Sequence, residues 1–213
     1  MKDSMPTGKD KPTLLIITGP QGSGNHLFGK IFSLHKEVLG WSALYKHKWV
    51  GHDQEVFQPY WNNPKTLSDF DWSQSKYYVT SISCPYVLNK KFAIPKYHAF
   101  INQAKKYADV QVAIIGRDKN ILKHQQIRVR RGEHTTPVAL QHLSLLPDAF
   151  YLSQELFFLY GKNYLKNICK LINFPIDYNN VYITKLFKNE ANKKYIKKIK
   201  KGPFDDIQMK INY

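Results

Sequence analysis

The stretch Leu14 to Phe32, LLIITGPQGSGNHLFGKIF, admits few folds. Leu14-Leu15-Ile16-Ile17 is a run of branched apolar residues, the pattern of a strand buried in a parallel sheet. Gly19-Pro20-Gln21-Gly22-Ser23-Gly24 follows at once and predicts a tight turn. Leu27, Phe28, Ile31 and Phe32 then recur at helical spacing, so a helix runs from about Asn25 to Lys36. Strand, glycine turn and helix in direct succession make a cradle for an anion. Glycine lets the backbone bend until successive N–H groups converge, and the positive end of the helix adds to the attraction.

The spacing approaches the nucleotide-triphosphate loop G-x-x-x-x-G-K-S/T and then departs from it. Gly19 and Gly24 are in place, but Asn25 stands at the lysine and His26 at the hydroxyl residue that would hold magnesium. The two residues that an ATPase or kinase needs are therefore missing. What is left is the main-chain N–H groups of Gly22 to His26, the Ser23 hydroxyl, the Asn25 amide and the His26 imidazole. No metal is required of such a site.

The remaining chain alternates strands with helices. Lys76–Ser83 and Val110–Ile115 read as strands, Ala149–Ser153 as a short one. Helices are expected over Tyr97–Tyr107, about Asn120 to Arg131, and Lys162–Ile172. This order predicts an α/β fold, a doubly wound parallel sheet with flanking helices. In such sheets ligands gather beyond the carboxyl ends of the strands, where Gly19–Gly24, Ser83–Pro85 and Gly116–Asp118 all fall. Residues 1–12 read as a loose leader without the apolar segment of a secretory signal. Residues 13–184 form the domain, with an insertion at 40–75 that holds all four tryptophans and reads equally as a substrate-facing lid or a flap packing its own rings. Asp69–Ser73 has helix-start character.

Net charge is +16, from 32 Lys+Arg against 16 Asp+Glu, which calls for an anionic partner. Much of it sits in a tail, 185–213, where Lys185 to Lys201 contains eight lysines and one acid, Glu190; that tail suits an acidic surface. No apolar run approaches the ~18 residues of a membrane span. The two cysteines, Cys84 and Cys169, have no metal spacing and read as buried thiols in a reducing, cytoplasmic setting.

Four motifs in order resemble the sulfotransferase family, whose members use the donor PAPS (3′-phosphoadenosine 5′-phosphosulfate) on a P-loop-like α/β fold. Gly22-Ser23-Gly24-Asn25-His26-Leu27 resembles the 5′-phosphosulfate loop, K/R-S-G-T-T/N-x-L/F. Leu34-His35-Lys36-Glu37-Val38 resembles the L-x-x-H-P-x-V segment after the first helix. Ile115-Gly116-Arg117-Asp118 resembles the R-D/N-P motif. Phe150–Leu156 with Leu165–Pro175 resembles Y-E-D-L … F-L-G-L-P. The resemblance covers about residues 14 to 176. It implies that Gly22, Ser23, Gly24, Asn25 and His26 hold the 5′-phosphosulfate, and that Arg117 binds the 3′-phosphate with Gln125 in the place of the usual serine.

The departures from that pattern are chemical. Gly22 stands where the loop carries Lys or Arg, and His26, Lys123, Arg128, Arg130 and Arg131 are all candidates to supply a cation. Ser83 stands where the cytosolic branch has its histidine base, and a lone serine cannot take a proton at neutral pH. The carbohydrate-acting branch uses a glutamate in an E-x-x-F stretch, which His52-Asp53-Gln54-Glu55-Val56-Phe57 resembles. The expected proton acceptor is therefore Glu55, with His52 second. The function implied is sulfuryl transfer from PAPS to a hydroxyl or amine, on a carbohydrate or another small molecule. Two other readings stay open: a nucleotide or nucleoside kinase with an altered loop, and a non-catalytic binder of polyanions.

Overall fold

The computed structural model describes residues 11–41, 55–88, 91–130, 134–188 and 192. A five-stranded sheet lies at the centre: β2 (Val38–Leu39), β3 (Tyr77–Cys84), β1 (Thr13–Pro20), β6 (Asp109–Gly116) and β7 (Phe150–Ser153), in that spatial order. Every pairing in it is parallel. β1 is the middle strand, and Leu14 to Ile17 are wholly buried because helices cover both faces. Leu14 and Ile16 point to one apolar cluster, Leu15 and Ile17 to the other.

Beneath one face pack α2 (Gln58–Asn62), a 3-10 turn at Pro64–Asp69, α3 (Tyr97–Ala104) and α5 (Thr136–Leu143). On the other lie α1 (Asn25–Ser33), α6 (Gln154–Ile172) and α7 (Val181–Lys188). A hairpin, β4 (Tyr86–Leu88) with β5 (Lys91–Ala93), forms a separate two-stranded sheet, and α4 (Lys119–Arg130) follows β6. After β1 the chain moves to the β2/β3 side; after β3 it crosses β1 to β6 and β7. That reversal makes the carboxyl ends of β1 and β6 the topological switch point, where an open α/β sheet leaves a crevice.

Several boundaries differ from the sequence reading. α1 stops at Ser33, not Lys36, and the two-residue β2 follows. The connector before Pro95 holds the β4–β5 hairpin. Asp69–Ser73 starts no helix: the 3-10 turn ends there, and Asp71 Oδ1 accepts from the Ser73 N–H at 3.0 Å and hydroxyl at 2.6 Å. α6 begins at Gln154, well before Lys162, and Gly161 (φ 52°, ψ −124°) kinks it. Ser153 caps that helix, its Oγ accepting from the Leu156 N–H at 3.2 Å. Replacing it, Ser153→Ala, is expected to lower stability by about 1 kcal/mol in chemical denaturation.

The described tryptophans wall the core. Trp61 is wholly buried and stacks on Phe100 with ring centroids 3.8 Å apart; Trp41 is buried too. Trp72 stacks on Tyr107 at 6.0 Å. Residues 55–75 therefore form a structural layer, while Trp49 lies outside the described residues. No helix among the described residues is long and apolar enough to cross a membrane.

Candidate functional site

The turn after β1 is held in shape from inside. Gly22 (φ 89°) and Gly24 (φ 114°) take left-handed conformations that a side chain disfavours. A Cβ on Gly19 would stand 2.6 Å from the Ile115 carbonyl oxygen and from Ser23 Oγ. Ser23 Oγ donates to Asn25 Oδ1 at 3.0 Å, and Asn25 Nδ2 donates to the Gly19 carbonyl at 2.9 Å and to Ser83 Oγ at 3.2 Å. Both side chains are buried, so Ser23 and Asn25 brace the turn. α1 has Gly24 as its N-cap with no side chain capping it. His26 is exposed, edge-on to the Trp41 ring at 4.6 Å.

Arg117, just past β6, reaches this turn. Its Nη1 donates to the Gly22 carbonyl at 2.7 Å and also to Gln125 Oε1, which α4 brings up. A Cβ on Gly22 would lie 2.9 Å from the Gln125 side chain, so glycine lets α4 close on the loop. The Nε and Nη2 of Arg117 donate to Asn192 Oδ1 at 3.0 and 2.7 Å. Asp118 caps α4, its Oδ1 accepting from the N–H groups of Asn120 and Ile121, both at 2.9 Å. Gly22, Arg117 and Gln125, each expected from the resemblance to bind the donor, thus meet at one point.

Sequence reasoning missed three supporting amides. Gln126 donates to the Gln21 carbonyl at 2.7 Å and accepts from the Thr135 N–H at 2.9 Å, tying the outer side of the turn to α4 and α5. Asn192 arrives from far along the chain. Gln154 lies beside Gly24. Isolated glutamine and asparagine residues carry no periodic or motif signal, so nothing local marked them.

Glu55 occupies a different position. It is 2% exposed, and its Oε2 accepts from Thr80 Oγ1 at 3.1 Å, which in turn accepts from Trp61 Nε1 at 3.1 Å. Its Oε1 has no hydrogen-bond partner. Burial pushes the Glu55 carboxyl up to about 8, only partly offset by the Phe57 N–H and the Thr80 hydroxyl. Thr80 faces the α3 side of the sheet, whereas Ser81 and Ser83 face α1, with Ser81 Oγ donating to the Asn25 carbonyl at 3.2 Å. No contact among the described residues joins Glu55 to the turn. His52, Arg131 and the lysines beyond Lys188 lie outside the described residues, as does the side chain of Arg130. Lys123 and Arg128 are exposed on α4.

Beside Arg117 opens a cavity of about 620 Å³. Pro20, Gly116 and Arg117 border it at the turn; Leu122, Tyr151 and Leu152 are among its apolar walls. A rim that carries a guanidinium, set against an apolar hollow, is the kind of surface that takes a ligand with a charged group and a ring system. No protein-family model and no curated protein matches this chain. Cys84, buried, and Cys169, half-buried, are free thiols.

Proposed function

We propose that this chain is a PAPS-dependent sulfotransferase on a P-loop-like α/β fold, working in a reducing, cytoplasmic compartment. The observation that carries this reading is the Arg117 hub. One guanidinium contacts the Gly22 carbonyl and Gln125, so three residues that the resemblance assigns to donor binding converge at the switch point of the sheet. The uncapped start of α1 fits an anionic group, and the neighbouring cavity fits a nucleoside.

When bound, the donor supplies an activated sulfuryl group, whose S–O bond to the 5′-phosphate breaks as an acceptor oxygen or nitrogen bonds to sulfur. The chain's own part is positioning and charge stabilisation. Main-chain N–H groups from Gly22 to His26 orient the 5′ side, with Ser23 and Asn25 fixing the turn. Arg117 and Gln125 hold the 3′-phosphate, exchanging present partners for charge-assisted bonds. The resemblance gives the acceptor's proton to Glu55, whose Oε1 is unshared; its burial behind Thr80, on the face of the sheet away from α1, counts against that role. With its carboxyl at about 8, the ionised form dominates only above that pH, so a turnover that uses Glu55 as base is expected to rise with pH through about 8 and level off above it. The acceptor is a hydroxyl or amine, on a carbohydrate by the resemblance.

Calorimetry with adenosine 3′,5′-bisphosphate and with adenosine 5′-monophosphate tests the donor. The bisphosphate is expected to bind about tenfold or more tightly, through charge-assisted bonds to its 3′-phosphate. Equal affinities remove that role from the site, and no binding of either removes the reading. A net charge of +16 favours one competitor, a non-catalytic polyanion binder. That protein would bind heparin or nucleic acid, releasing it as salt rises, and would ignore the bisphosphate.

A further inference from the structure

Gln154 carries a buried carboxamide with an oxygen that bonds to nothing. It is the first residue of α6, 3% exposed, and its Oε1 has no hydrogen-bond partner. Buried amides are nearly always satisfied, and one that is not calls for an account. Its neighbour is Gly24: a Cβ built there would stand 3.4 Å from Gln154 Cδ and 3.6 Å from Oε1. The glycine thus leaves the carboxamide alongside the start of α1.

That start is unmet as well. Gly24 is the N-cap, and no side chain caps the helix. Phe28 donates to the Gly24 carbonyl at 3.0 Å, so the N–H groups of Asn25 and Leu27 precede the first helical bond. A helix end with donors to spare and a carboxamide oxygen with none to accept lie side by side without bonding. The register explains the proximity. Gly116 pairs with Ser153, so Arg117 and Gln154 leave their strands at the same level, next to the turn that follows β1.

We propose that Gln154 is a binding residue of the anion site, its carboxamide donating to a phosphoryl or sulfuryl oxygen held at the start of α1. A half-turn about the terminal torsion exchanges Oε1 for Nε2 and presents N–H donors to the same space. The oxyanion then accepts from the helix N–H groups and from Gln154 Nε2 together, and Oε1 leaves the closed space for the place Nε2 held. Gln154 then offers a neutral donor to the anion at the start of α1. This inference rests on the anion-site reading given above.

The test compares the wild type with Gln154→Met and Gln154→Glu, using adenosine 3′,5′-bisphosphate and inorganic pyrophosphate in calorimetry, with thermal unfolding of each protein alone. Gln154→Met keeps the length and drops the unmet polar group. It is expected to unfold at a higher temperature yet bind both anions about tenfold more weakly. Gln154→Glu places a like charge against the ligand and is expected to weaken binding about 100-fold. A structural role alone moves stability and leaves affinity untouched. Wild-type affinity in both variants overturns the inference and spares the anion site; a wild type that takes up neither anion overturns both.

Discussion

Arg117→Ala is expected to weaken binding of adenosine 3′,5′-bisphosphate on the order of 100-fold, the equivalent of about 3 kcal/mol, or two hydrogen bonds to a charged group. Arg117 is 9% exposed and its guanidinium is bonded to Gly22, Gln125 and Asn192, so its loss also removes those acceptors' donor. Arg117→Lys separates charge from geometry. It keeps the positive charge but loses the fork that meets two oxygens side by side. Its affinity is expected to fall between the wild type and Arg117→Ala. Thermal unfolding of each variant without ligand reads the structural share separately. Equal affinity in wild type and Arg117→Ala would take Arg117 out of the site and the donor assignment with it.

Glu55→Gln is expected to flatten the pH dependence of stability. The Glu55 carboxyl is raised in the folded protein from 4.5 to about 8, chiefly by burial. The folded state therefore holds its proton more tightly than the unfolded chain does. Stability from this group is fully present below pH 4.5, falls as pH rises, and is gone above about pH 8. A shift of that size corresponds to on the order of 4 kcal/mol across the window. Urea unfolding of the wild type at pH 5 and pH 9 should lose about that much more than Glu55→Gln, whose neutral amide keeps the contact with Thr80. Parallel curves for the two proteins would mean that Glu55 ionises without penalty.

The residues that were easiest to read are those whose environment is repeated along the chain. Leu14–Ile17 and Val110–Ile115 are apolar on consecutive positions because β1 and β6 are covered on both sides, and that pattern needs no partner to be recognised. Gly161 shows the opposite case. By bending α6 it breaks the periodicity, and the helix from Gln154 to Tyr160 was invisible for that reason. The β4–β5 hairpin is short and partly exposed, with no turn signature strong enough to mark it. Trp61 could be seen as aromatic, but only Phe100 lying flat against it makes it core.

The amino-acid order alone determined the local architecture: the buried central strand, the glycine turn, the helix after it, and a basic residue, Arg117, just past a later buried strand. These follow from side-chain period and backbone freedom, which act over a few residues. Only the tertiary structure decided that Ser23 and Asn25 turn inward, that Glu55 is shut behind Thr80, that Asn192 meets Arg117 and that Gln154 lies beside Gly24. Those outcomes depend on which distant segments meet, and burial and hydrogen bonding between remote residues leave no trace in the spacing of either one.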